Sequence, residues 1–129
     1  MTYRLVIPCA LPGLNEYIAA ERRSKYAAAG MKRRAEAVIA AAAREQLRGV
    51  RLTGPVVMGY TWVEKNRRRD RDNVAFARKF VQDALVRCGV LRGDGWKEIA
   101  GFTDAFAVDR ERPRVEVTLE EREVEHDAV

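Results

Sequence analysis

Histidine and cysteine are scarce in this chain, and their scarcity narrows the chemistry open to it. A single histidine, His126, stands near the C-terminal end. A histidine-built zinc site or a Ser-His-Asp triad needs more than that, so any catalytic groups are carboxylates, lysines and arginines. The two cysteines, Cys9 and Cys88, lie far apart without metal-ligand spacing. They read as reduced thiols of a cytoplasmic protein. No apolar run approaches the roughly 18 residues that a membrane span requires. The opening "MTYRLVIPCALPG" is interrupted by Pro8 and Pro12, which makes it a poor signal peptide and a good first strand. Internal repeats and linker-like composition are also missing, so the 129 residues read as one domain.

Charge is abundant and unevenly placed. The net charge is +5, yet residues 65–71, "KNRRRDR", hold five cations and one anion, and residues 120–127, "EEREVEHD", hold five anions and one cation. A concentrated basic patch on a small domain favours a polyanionic partner, most often nucleic acid.

Hydrophobic periodicity gives the order of elements. "TYRLVIP" alternates and is β-branched, which predicts a strand over 2–7. A loop with Pro12 and Gly13 leads into helical signal from Asn15 to Arg48, with a break expected at Gly30. "GPVVMGYTWVE", 54–64, is apolar on both faces and reads as a central strand. A second helix is predicted over 73–88, begun by Asp72 or Asn73 and ended by Gly89. Residues 96–109 and 112–121 read as two strands joined by Arg110–Pro113 in an antiparallel hairpin, and 122–129 as a frayed acidic tail. The sum is an α+β domain over 1–121, β-α-β-α-β-β, with a mixed sheet packed against two helices.

The segment "NRRRDRDNVAFARKF", Asn66 to Phe80, carries the chemistry. If the chain is still extended there, Asp70 and Asp72 share one face. Two unpaired carboxylates that close repel each other, and a divalent cation removes that cost. Mg²⁺ takes hard oxygen ligands and needs only one or two carboxylates beside substrate phosphate. Arg67, Arg68, Arg69 and Arg71 could hold a phosphodiester against it. The plainer alternative is that the two aspartates pair with these arginines and cap the helix. Within a continuous helix, Asp72, Lys79 and Asp83 fall on one polar stripe. Lys79 is then either an i,i+4 partner of Asp83 or a lysine that stabilises charge developing on phosphate. Asp94, between Gly93 and Gly95, is either a turn residue or a third acidic member of the site. A helix over 73–88 is about 24 Å long. The step from Gly89 to Asp94 spans at most about 17 Å. Asp94 therefore reaches the first two aspartates only if the helix is shorter or a second subunit supplies it.

"RRRDRDNVAFARKFVQDALVRCGVLRGDGWKEI" strongly resembles the central motif of RusA-type Holliday junction resolvases, particularly the phage and prophage branch, and "LPGLNEYI" and "ERRSKYAAAGMKRRAE" look similar too. The resemblance covers roughly residues 3–120. It implies a homodimeric, Mg²⁺-dependent endonuclease that cuts four-way DNA junctions by symmetric nicks in recombination and repair; whether Mn²⁺ can replace Mg²⁺ is left open. No small-molecule cofactor and no membrane partner are implied. Asp70, Asp72 and Asp94 match the acidic, metal-binding triad and Lys79 the catalytic lysine. Arg69 and Asn73 match supporting positions, which places them with Arg67, Arg68 and Arg71 on the DNA-binding surface. Asp83 matches a recurrent aspartate without an assigned role.

Overall fold

The computed structural model describes residues 1–123. Its elements are β1 (Thr2–Ile7), α1 (Leu14–Arg23), α2 (Lys25–Gln46), β2 (Val56–Glu64), α3 (Arg71–Ala75), α4 (Arg78–Arg87), β3 (Ile99–Val108) and β4 (Arg114–Glu121). The fold is α+β, with four strands in one mixed sheet and helices packed against it. Most of the tail expected to fray, from residue 124 on, lies outside the described residues.

The sheet order is β1-β4-β2-β3. β2 is central, as its two apolar faces suggest, pairing parallel with β3 and antiparallel with β4. The expected β3–β4 hairpin does not form, because β2 lies between those strands. The link over 109–113 steps across the end of β2 instead, where the Asp109 amide donates to the Glu64 carbonyl at 2.8 Å. Crossing one strand means covering two strand spacings, about 10 Å, which five residues do easily. Asp109 then holds the turn, accepting from the amides of Glu111 and Arg112 and from the Arg114 guanidinium.

Register explains the core. Rows such as Leu5–Val117–Tyr60–Asp104 and Ile7–Val115–Trp62–Phe106 run across the sheet on one face. Most of those residues are buried in a single cluster with Ala35, Ile39 and Ala43 of α2 and Phe80, Val81 and Leu85 of α4. The other face carries rows such as Arg4–Thr118–Gly59–Thr103, which are small or polar. Period-2 alternation thus places one face under the helices and leaves the other open.

Both expected helices are broken in two, at places periodicity does not mark. The first breaks at Ser24, not Gly30, which is buried inside α2. Ser24 is extended, with φ −174° and ψ 158°, and its hydroxyl accepts from the Ala27 amide at 3.0 Å. That hydrogen bond restarts the helix as a Ser N-cap. The second breaks between Ala75 and Arg78, with short-range bonds from Ala77 to Val74 and from Lys79 to Phe76. It also begins at Arg71, earlier than expected. No helix of the described residues is long and apolar enough to cross a membrane.

Candidate functional site

The basic segment leaves the C-terminal end of β2 and turns at once. Asn66 Oδ1 accepts the Arg68 amide at 3.0 Å, a side-chain-closed turn. Arg69 then folds inward. Its Nε and Nη2 donate to the two Glu64 carboxylate oxygens at 2.8 and 2.9 Å, and Nη1 donates to the Leu11 carbonyl at 3.0 Å and Glu16 Oε1 at 2.6 Å. Four of the five guanidinium N–H groups are thereby engaged within the chain. The Glu64 hydrogen bonds raise the Arg69 pKa further against the cost of burial. Arg69 is thus a clasp between β2, the Leu11 loop and α1.

Asn73 completes the clasp. It is buried, and its Oδ1 accepts the Asn15 amide in the first turn of α1 at 2.9 Å. A Cβ on Gly13 would stand 2.6 Å from that oxygen, so only glycine lets the loop lie so close. "LPGLNEY" and "RDRDN" are therefore one docked unit, in which Arg69 and Asn73 hold the loop that carries the aspartates.

Asp70 and Asp72 lie on that loop, both exposed. Asp70 is the N-terminal cap position of α3, but its side chain makes no capping bond. Asp72 accepts only the amide of Asn73 at 3.0 Å. Among the described residues no cation is within ion-pair distance of either carboxylate, although four arginines surround them in sequence. The plainer alternative, pairing with those arginines and capping the helix through Asp70, is not what the side chains do. Asp70 faces an open cleft of about 410 Å³ with Arg67, Arg69 and Arg71. Arg71 lies 5.6 Å from the Phe106 ring centroid. Arg67 and Arg68 are exposed. Asp72 is already helical, so extended-chain spacing does not govern how it stands relative to Asp70.

The remaining candidates meet one another through ion pairs. Lys79 Nζ is 3.1 Å from Asp83 Oδ1 and 3.4 Å from Asp94 Oδ2. The expected Lys79–Asp83 pair is present. Asp72 does not join it by an ion pair; even in a continuous helix it would lie about 10 Å along the axis from Lys79. The chain after Gly89 runs back to the first turn of α4, where Asp94 meets Lys79, a return of about 15 Å that five residues can cover. Glu98 Oε1 braces the aspartate turn by accepting the Gly95 amide at 3.2 Å. Behind Lys79, Lys32 of α2 approaches Asp83 Oδ2 at 3.1 Å and Glu36 at 3.7 Å. Burial pushes the Asp83 carboxyl up, but hydrogen bonds from Lys32 and Lys79 outweigh it and hold the group below its ordinary range. The hydrogen bond to Asp83 raises the Lys79 pKa, so its ammonium persists throughout the neutral range.

Two exposed carboxylates without cationic partners are the donor type Mg²⁺ takes. Asp70 and Asp72 are each of that type. Asp94 is engaged with Lys79, and among the described residues no three His, Cys, Asp or Glu side chains are grouped so as to hold a metal ion.

Several participants escape a linear reading. Asp104 on β3 accepts the Trp62 indole N–H at 2.8 Å and pairs with Arg78, whose guanidinium lies 4.3 Å from the Phe102 ring centroid. Tyr60 stacks on Trp62 at 5.3 Å, its hydroxyl accepts from Gln82, and burial raises its pKa. The only sequence signal for Asp104 is a lone acid in an otherwise apolar strand. No model of a known protein family matches the chain, and no curated protein matches its sequence.

Proposed function

We propose that this protein is a Mg²⁺-dependent endonuclease of branched DNA that resolves four-way junctions as a homodimer by paired symmetric nicks. The observation that carries the reading is the state of Asp70 and Asp72. Two carboxylates stand exposed, and without a cationic partner among the described residues, within the most cationic segment of the chain. Such an arrangement suits a cation and a phosphate arriving together better than it suits an empty surface. The resemblance of residues 3–120 to RusA-type resolvases supports the same reading.

When bound, Mg²⁺ would supply Lewis acidity at the scissile phosphate. Asp70 and Asp72 offer the hard oxygens that would hold it. Arg67, Arg68 and Arg71 keep their guanidiniums available to the backbone, while Arg69 and Asn73 fix the loop. Lys79, cationic at neutral pH, offsets negative charge on the transferred phosphoryl group. Asp94 is the third acid that resemblance implies, and in the free chain it orients Lys79. Two sites related by a two-fold axis would nick two symmetric strands.

The test is cleavage of a synthetic four-way junction in Mg²⁺ and in EDTA, beside the Asp70→Asn protein. Cutting that needs Mg²⁺ and is lost in the variant, with junction binding kept, supports the reading. Equal cutting of flaps and forks would move the activity to branched DNA in general. Binding without cutting at any metal concentration would leave a DNA-binding protein and refute the enzyme.

A further inference from the structure

A second cationic surface lies between α2 and the C-terminal end of α4, formed by residues the candidate site does not use. Arg33, Glu36, Ala37, Ala40 and Arg44 recur along α2 at helical spacing, and with Arg87 and Cys88 they line an open groove of about 610 Å³. A further depression of about 150 Å³ continues from it, sharing Arg44 and Cys88 and adding Arg48 and Arg51. Five arginines thus line these two adjoining depressions, and among the described residues Glu36 is the only carboxylate that lines either. Among the described residues no carboxylate lies within ion-pair distance of Arg33, Arg44, Arg48 or Arg51.

Glu36 is buried in the floor. Neither of its carboxylate oxygens has a hydrogen-bond partner, and its nearest cations are Arg87 at 3.5 Å and Lys32 at 3.7 Å. It offsets only part of the positive charge above it. It also connects the groove to the candidate site. Arg87, Glu36, Lys32, Asp83, Lys79 and Asp94 form an unbroken chain of ion pairs from the groove to the aspartate turn.

The shape and the residue types select the ligand. From Arg33 to Arg44 the helix rises about 16 Å, roughly the axial length of five nucleotides of a strand. Guanidinium groups match phosphate oxygens two at a time. Among the described residues no aromatic side chain lines either depression, so unpaired bases would find nothing there to stack on. We propose that this groove seats the phosphodiester backbone of a duplex arm, away from the scissile position, and contributes affinity without sequence preference. The inference rests on the nucleic-acid part of the proposed function and not on cleavage.

The experiment measures binding of a labelled, unbranched duplex by fluorescence anisotropy over a series of KCl concentrations. The Arg33→Gln/Arg44→Gln protein is compared with Arg110→Gln/Arg112→Gln, which removes the same charge from the β3–β4 link. Loss of two phosphate contacts should flatten the slope of log Kd against log salt by about two for the groove protein, and by much less for the comparison protein. An unchanged slope and affinity, or equal effects from the two pairs, would overturn the groove. A photo-crosslinker on Cys88 in a Cys9→Ser background gives a readout that leaves the arginines intact. Duplex captured there supports the groove, and its absence at saturating duplex refutes it. Wild-type protein that binds duplex at the groove but never cuts keeps this inference and removes the nuclease. Protein that cuts junctions with normal affinity after loss of both groove arginines keeps the nuclease and removes this inference.

Discussion

Lys79 Nζ stands 3.4 Å from Asp94 Oδ2, fifteen residues further along the chain and on the other side of a helix end. The same ammonium is 3.1 Å from Asp83. One lysine therefore links α4 to the turn at Gly93–Gly95, and the turn's position depends on a side chain rather than on backbone pairing alone. If Lys79 also meets phosphate, Lys79→Ala should lower the junction-cutting rate by about 100-fold, within the range for removing a group that stabilises transition-state charge. Junction affinity measured in Ca²⁺ should change only a few-fold. A rate within a factor of three of wild type would make Lys79 a structural partner of Asp83 and nothing more.

Acid and alkaline stability should report the same cluster. Asp83 has a depressed pKa, so its contribution is present above the ordinary value of 3.8 and is lost as pH falls through the lower folded value. Lys79 has a raised pKa, so its contribution is full below 10.5 and is lost as pH rises through the higher folded value. Urea unfolding of Asp83→Asn should therefore show a smaller loss of stability below pH 4 than wild type does. An identical acid profile would show that Lys32 and Lys79 do not hold the carboxyl.

Arg69 should act on stability before it acts on DNA. Arg69→Ala leaves Glu64 half-buried without its partner and the Leu11 carbonyl unpaired. Removing one member of such a pair costs about 3 kcal/mol. Denaturant unfolding should show the midpoint falling with an unchanged slope. Native stability with weakened DNA binding would instead place its guanidinium against phosphate.

Gly13 and Asn73 should be coupled. Gly13→Ala puts a methyl 2.6 Å from Asn73 Oδ1 and 2.9 Å from the Asn73 carbonyl, which should cost about 1–3 kcal/mol. Asn73→Ala removes the side-chain part of that clash but also the Asn15 bond. The double variant should therefore lose less stability than the two single losses added together. Strict additivity in a double-mutant cycle would mean the loop yields without touching Asn73.

Metal binding should be visible without any substrate. Mg²⁺ at ten times its Kd stabilises a one-site protein by about 1.4 kcal/mol. Thermal unfolding of wild type should shift upward with Mg²⁺, and that of Asp70→Asn/Asp72→Asn should not. Equal shifts in both proteins would place the ion elsewhere.

By itself the sequence determined the fold class, the order of the elements and the segment that carries the charge. Alternation in 2–7 and 54–64 and the apolar stripe of Val74, Ala77, Val81 and Leu85 are local patterns, and burial in the tertiary structure follows them. The mixture of cations and acids at 65–72 was likewise legible as a single feature. Only the tertiary structure decided the rest. Whether β3 and β4 form a hairpin depends on where β2 lies, which no local pattern encodes. The breaks at Ser24 and after Ala75 depend on hydrogen bonds competing with helical ones, and the path of the chain after Gly89 is what brings Asp94 to Lys79. Arg67 to Arg71 look alike in sequence, yet Glu64, Leu11 and Glu16 turn Arg69 inward while Arg67, Arg68 and Arg71 stay exposed. Asp104 gains its partners, Trp62 and Arg78, from elements far away in the chain. Periodicity records which face of an element is apolar. Partners brought together by long-range packing decide which polar groups are used up inside the fold and which are left for a ligand.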